Sequence, residues 1–472
     1  MFSRRFYILL ITLLLLIGTQ HLYAQYYLSA SDTTFVIDNI YLSGNKHTKE
    51  NIILREIELK KGDTVYLHQL LYKIKKSRQN LINRSLFNTV EITPKRHDYN
   101  KVDLYVVVTE RWYIWPVPIF TYSDRNFSVW WESKELSRIN YGVNLQVNNF
   151  RGRMEKLNII LQGGYDKTLQ LDWKIPYINK KQKWGIEIFA GATFNHETDY
   201  NLKNNKLAYY HEEKAYSRKW YSGKLTATFR PKYYFIHSLT LGFDHREYAD
   251  TLLKLNPGFA YSKSKFSFLS VEYNFKYDFR DYAPYPLKGF YVEGDIKEDG
   301  LGIFSKEVNQ LSLYMIFDQY IPLYKRWYFA YSLAAQIIPN NYRPYFIQDG
   351  LGYTPMGIRG YQLYVVKGNW IGQFRSNIKF AIIPKKPYIL DFIKTEKFNR
   401  FFFGLYANIF LDGAYAASPI PKDDDSTLNN KFLYGTGAGL DFVTFYDVVV
   451  RAEYVFNGNH EHHFFLSFVA PI

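Results

Sequence analysis

From Trp112 onward the chain alternates apolar and polar residues with a period of two, over segments as long as nine residues or more. Thr168 to Ile175 sets Leu169, Leu171, Trp173 and Ile175 on one face and Thr168, Gln170, Asp172 and Lys174 on the other. Successive side chains of an extended backbone point to opposite faces, so such a run is a strand with one apolar side. Gln310 to Asp318 repeats the pattern, and in Trp327 to Gln336 the residues Trp327, Phe329, Tyr331 and Leu333 share a face. Strands of a soluble sandwich average about five or six residues, whereas a tilted bilayer crossing needs about 9–11. About sixteen such segments can be placed, starting near Tyr113, Gly142, Met154, Thr168, Trp184, Trp220, Tyr234, Lys265, Lys288, Gln310, Trp327, Asn369, Arg400, Phe432, Tyr446 and His462. The expected fold is therefore mainly β. Residues 112–472 form a transmembrane antiparallel β-barrel of about sixteen strands, in which connections from odd to even strands face outward.

Composition narrows the choice. The 44 Tyr, 37 Phe and 9 Trp make 19% of the chain, which suits the aromatic girdles of a barrel. The mildly negative mean hydropathy excludes a bundle of membrane helices, which needs repeated apolar runs of about 20 residues. With no Cys, thiolate metal sites, thiol catalysis and disulfides are excluded. Residues 1–24 read as a secretory signal: Arg4 and Arg5 precede the apolar run Phe6 to Ile17, and Leu22-Tyr23-Ala24 offers a cleavage site. The net charge of +15 is spread among acidic residues rather than gathered in a basic block, so nucleic acid is not an expected partner.

Residues 33–111 follow other rules and read as one small α+β domain of order β-α-α-β-β. Phe35 to Leu42 alternates as a strand, and Gly44-Asn45-Lys46 ends it. Thr48 is placed to cap a helix carrying Ile52, Ile53 and Ile57, and Gly62-Asp63-Thr64 forms a second turn. Leu67, Leu70, Leu71, Ile74, Leu81 and Ile82 follow at helical spacing, and Thr89 to Thr93 and Val102 to Val108 are strands. Gly44-Asn45, Gly62-Asp63, Leu86-Phe87-Asn88-Thr89-Val90 and Val106 to Arg111 together resemble a POTRA domain. The resemblance implies a periplasmic module whose strand edge receives extended polypeptides.

Three stretches of the barrel half resemble the BamA/TamA outer-membrane assembly superfamily. Asn148-Asn149-Phe150-Arg151-Gly152-Arg153, with Ile175-Pro176-Tyr177, is similar to an early turn and strand ending. Asp278-Phe279-Arg280-Asp281 with Pro286 and Gly289 is similar to the family's periplasmic turn; an Asp/Arg pair can tie such a turn while Pro and Gly set its bend. Gly357-Ile358-Arg359-Gly360-Tyr361 is similar to a loop tip that folds back into the lumen, where its Arg meets a carboxylate on a partner strand. Phe410-Leu411-Asp412-Gly413-Ala414 supplies that strand, with Ala414 standing where the family has Gly. The resemblance therefore implies a lumenal loop lock of Arg359, Gly360, Tyr361, Asp412 and Phe410. The last strand lacks the family's terminal aromatic, Phe468 being the final one.

No pattern in the sequence asks for catalysis or a cofactor. Gly435-x-Gly437-x-Gly439 sits in alternating strand context with no helix behind it, which reads as small residues where a strand packs. His460-Glu461-His462-His463 and Asp423-Asp424-Asp425 fall in expected outer connections and read as solvated, so no metal is expected. No Gly-x-Ser-x-Gly elbow is present. The resemblance implies a protein of the Gram-negative outer membrane that inserts or translocates other polypeptides without nucleotide hydrolysis. Its partners would be unfolded outer-membrane or secreted clients and outer-membrane lipids, with room for accessory lipoproteins. A passive pore or receptor whose POTRA domain only aids its own assembly, secretion of one dedicated partner, and a barrel esterase stay open as alternatives.

Overall fold

The structure, a computed structural model, describes residues 33–122, 139–260, 263–339, 343–352, 356–390, 393–418 and 426–468. The signal at 1–24 and the acidic run Asp423 to Asp425 lie outside the described residues. The chain divides into two compact units: Met1–Ser43, Ile57–Arg78 and Glu91–Val106 form the first, and Gly44–Glu56, Gln79–Val90 and Val107–Ile472 the second.

Strands β1 (Thr34–Ser43), β2 (Thr64–Tyr66), β3 (Phe87–Arg96) and β4 (Lys101–Glu110) form a sheet of order β2-β1-β4-β3, with helices α1 (Glu50–Leu54) and α2 (Leu67–Ile82) between them in sequence. The first unit buries Ile37, Leu59, Val65, Leu70, Val102 and Leu104. Its element order carries one strand more than expected. After the Gly62 turn, at φ +89°, residues Thr64–Tyr66 pair antiparallel with Thr34–Val36. Three residues are too few for alternation to register, and burial of Val65 opposite Phe35 is what holds them extended. Thr48 is not a helix cap either: α1 begins after Lys49 without a side-chain cap. The Thr48 hydroxyl instead meets Asn149 Nδ2 at 2.8 Å.

The second unit is built on one sixteen-stranded antiparallel sheet whose order follows the chain. Its first half comprises β5 (Ile114–Tyr122), β6 (Ile139–Phe150), β7 (Glu155–Gly164), β8 (Lys167–Ile175), β9 (Trp184–Asn195), β12 (Arg218–Phe229), β13 (Phe235–Tyr248) and β14 (Lys265–Asp278). The second half comprises β15 (Gly289–Gly300), β16 (Gln310–Pro322), β17 (Trp327–Ile337), β20 (Trp370–Ile389), β21 (Arg400–Ala417), β22 (Phe432–Val443), β23 (Val449–Asn457) and β24 (His462–Phe468). Each begins within three residues of its expected start. The alternation has the sense it must have in lipid: Leu169, Leu241, Met315, Ile409 and Phe464 are exposed, while Asn274, Asp318, Asn377, Asp412 and Asp441 are buried. Gly142 and Tyr446 show the largest offset, three residues each; Tyr446 and Asp447 adopt positive φ in a tight turn before β23.

Connections from even to odd strands run to ten residues at most, whereas most of those from odd to even are longer, so the barrel has a turn end and a loop end. Two loops carry strand pairs of their own: β10 (Glu197–Lys203) with β11 (Lys206–His211), turned through Asn204 and Asn205 at φ +51° and +58°, and β18 (Gly350–Leu351) with β19 (Val366–Lys367). Among the described residues no helix is long and apolar enough to cross a membrane.

Candidate functional site

The connection from β17 to β20 turns back into the barrel. Leu351, Met356, Ile358, Tyr361 and Val366 of this loop pack with Ile371, Ala414, Ala416 and Leu433 of the wall as one apolar cluster. At its tip Arg359, 4% exposed, meets Asp412, 1% exposed, through Nε at 2.7 Å and Nη2 at 2.5 Å. This is a bidentate pair in a space shielded from water, where a lone charge would be costly. Arg359 Nη1 also donates to Glu453 at 3.3 Å, and its guanidinium lies 3.8 Å from the centre of the Phe410 ring.

The neighbours fix the tip in register. Gly360 has φ +92°, and a Cβ there would stand 2.9 Å from Asn457 Cβ. Its carbonyl accepts from Asn457 Nδ2 at 2.8 Å, and the Tyr361 hydroxyl accepts from Gly458 N at 3.1 Å. Within the Gly435-x-Gly437-x-Gly439 run, Gly435 is where the loop rests on the wall, and Gly437 and Gly439 lie against neighbouring strands. A Cβ on Gly435 would lie 1.9 Å from the Arg359 carbonyl, and one on Gly437 would lie 2.7 Å from the Phe410 ring. Only a bare backbone lets the loop approach this closely. Ala414 is buried in the apolar cluster, while a Cβ on the neighbouring Gly413 would meet the Phe432 ring at 2.8 Å. Glu461, weighed above as a metal candidate, accepts from Tyr364 at 2.6 Å and Asn457 at 2.7 Å.

Sequence reading does not single out Glu453 or Asn457, whereas it reads Gly435 as a small residue where a strand packs. The only signal of the first two is parity, since each falls on the inward-facing register of its strand and departs from the aliphatic residues around it.

At the turn end, Arg280 and Pro286 lie in the β14–β15 turn, and Asp278 and Gly289 are the strand residues that bound it. Arg280 holds Asp278 through Nε at 2.8 Å and Nη2 at 2.6 Å. Asp281 closes the turn by accepting from the backbone N–H of Tyr282, Leu287 and Lys288 at 2.9–3.1 Å. Burial pushes its carboxyl upward against those bonds. Gly289 sits at φ +108°, where a Cβ would lie 2.1 Å from the Phe279 carbonyl. Pro286 is buried beside Tyr285.

Segments 44–56 and 79–90 belong to the second unit and carry two further charge clusters with the turns. Glu56, 1% exposed, is gripped by Arg230, with Oε2 at 2.8 Å from Nη2, and Arg84 stands 3.8 Å away. Burial pushes this carboxyl up, but Arg230 and Arg84 outweigh it and hold it at about 2. Asp447 accepts from Arg111 at 2.6 and 3.0 Å, from Ser85 at 2.8 Å and from the Tyr282 hydroxyl. Burial raises its carboxyl, and the Arg111 bonds more than offset this, leaving it below the usual carboxylate range.

A family model described as the Omp85 superfamily domain matches residues 149–363, and a POTRA model described as a surface antigen variable number repeat matches residues 35–111. Among solved structures, the chain is similar to BamA from Haemophilus ducreyi lacking POTRA domains 1–3, with TM-score 0.50, 15% identity, and coverage of 92% of this chain and 84% of that one. It is also similar to CdiB from Escherichia coli, with TM-score 0.54, 14% identity, and coverage of 92% and 74%. At such identities the likeness is one of fold. No curated protein matches the chain in sequence.

Proposed function

The chain belongs to the Omp85 superfamily, and from that premise we propose that it inserts or translocates other polypeptides at the Gram-negative outer membrane. In this reading residues 1–24 are a cleaved signal, 33–111 a POTRA domain in the periplasm, and 112–472 the outer-membrane barrel. The observation that carries it is the loop tip pinned in the lumen by Arg359 and Asp412, because a loop so held leaves little room for a freely open solute channel.

The mechanism is passive and needs no nucleotide. A strand edge of the POTRA sheet offers unpaired backbone groups that an extended client satisfies. The seam between the first and last barrel strands offers a second such edge, and local thinning of the bilayer beside it lowers the barrier to insertion. The loop lock of Arg359, Gly360, Tyr361, Asp412 and Phe410 keeps the lumen wall in one register while clients engage. The paired turn of Asp278, Arg280, Pro286 and Gly289 fixes the opposite end. The clients are unfolded outer-membrane or secreted polypeptides, the surrounding lipids take part, and accessory lipoproteins are compatible with this reading.

Purified protein in liposomes should accelerate membrane insertion of an unfolded β-barrel several-fold over empty liposomes. Ion conductance without any acceleration would transfer the assignment to a passive pore.

A further inference from the structure

The β14–β15 turn does more than reverse the chain. Counting along the sheet, β14 and β15 are barrel strands eight and nine, yet Tyr285 of their turn packs with Ala381, Tyr406, Val443 and Val449 on strands twelve to fifteen. The turn thus reaches across the lumen to a distant part of the wall. Two hydroxyls moor it there. Tyr285 donates to Asp441 Oδ2 at 2.8 Å, and Tyr282 donates to Asp447. Lys379 Nζ sits 4.5 Å from the centre of the Tyr285 ring, and Lys385 Nζ 3.4 Å from that of Tyr282.

Asp441 leads further. Arg451 donates to it at 2.6 and 3.1 Å, and the same Nε stands 3.8 Å from Glu453, which accepts from Arg359. Tyr285, Asp441, Arg451, Glu453, Arg359 and Asp412 form one chain from turn end to loop end, with charge alternating from Asp441 onward, and every member is at most 4% exposed. In such a place each group depends on its neighbour, because water cannot replace a lost partner.

We propose that residues 279–288 are a strap across the turn end of the lumen, tied through this buried chain to the loop lock, so that the two ends loosen together. Contiguity alone does not establish coupling; what does is a response at one end to a change at the other. Tyr285→Phe removes one hydroxyl and keeps the ring, so it tests the tie with little damage to packing. The full-length protein, accepted only if its unheated gel migration matches the wild type, would be measured in planar bilayers for conductance and in micelles for thermolysin cleavage between residues 343 and 369.

Loss of one charge-assisted bond should raise both the time-averaged conductance and the loop cleavage rate about ten-fold. The reverse experiment does not depend on how that variant folds. In Arg359→Ala, hydrogen exchange of the 281–288 amides should quicken by about the same factor, since coupling between two sites is reciprocal. A conductance change with unaltered cleavage would overturn the tie, and unaltered conductance would overturn the strap. Unaltered exchange at 281–288 in Arg359→Ala would also overturn the tie.

Discussion

Arg359→Ala removes the cation that grips Asp412 and leaves that carboxylate buried at 1% exposure. Removing one partner of a buried pair costs about 3–5 kcal/mol, because the charge left behind is neither solvated nor paired. Two features of this site adjust that figure. Arg375 stands 3.7 Å from the same carboxylate and takes over part of the pairing, whereas the Phe410 ring loses its cation and Glu453 keeps only Arg451, 3.8 Å away. A cost of about 3 kcal/mol for the closed loop follows, and it converts to a population of open loop about 100-fold larger. Where opening and closing are fast relative to cleavage, proteolysis follows that population. Thermolysin should therefore cut between residues 343 and 369 about 100-fold faster in the variant, with fragments identified by mass spectrometry. Asp412→Asn should produce a similar increase, and the double variant should cost much less than the sum of the two, since the residues act as one unit. A cleavage rate within two-fold of wild type, in a variant that still migrates as a folded barrel, would refute the lock.

Gly435→Ala places a Cβ 1.9 Å from the Arg359 carbonyl and should displace the loop at a cost of about 1–3 kcal/mol, read in the same cleavage assay. Gly223→Ala, where nothing lies within 4 Å of the added carbon, should leave that assay unchanged. Arg280→Ala breaks the bidentate pair with Asp278 and should loosen the β14–β15 turn, detected as faster hydrogen exchange at residues 281–288. The Glu56 carboxyl sits at about 2, below its ordinary 4.5, so its stabilisation is complete above about pH 4.5 and is lost as pH falls toward 2. The amount is about 3 kcal/mol. The urea midpoint in micelles should fall across that window in the wild type, and Glu56→Gln should flatten that part of the profile.

Strand positions were legible because a barrel in lipid constrains every second residue. Leu169, Leu171 and Met315 must be apolar toward hydrocarbon, and sixteen such stretches at regular spacing leave few architectures. The Arg359 motif was legible by resemblance, and so was the carboxylate strand at Phe410 to Ala414. Less came through where few residues carry an element, as with Thr64–Tyr66. The same held where a side chain serves a distant segment, as Thr48 serves Asn149 rather than its own helix.

Period two is a local property of backbone geometry, so the sequence by itself determined the barrel, its strand positions and the smaller α+β domain before it. Tertiary structure alone decided which further charges join the Arg359–Asp412 pair in the lumen. Asp412, Glu453, Arg451 and Asp441 lie on three different strands, and Tyr285 lies on a turn far along the chain. What joins them is the closing of the wall, and the scarcity of water there makes each bond between them count. No spacing in the sequence encodes that neighbourhood, because burial depends on every strand at once.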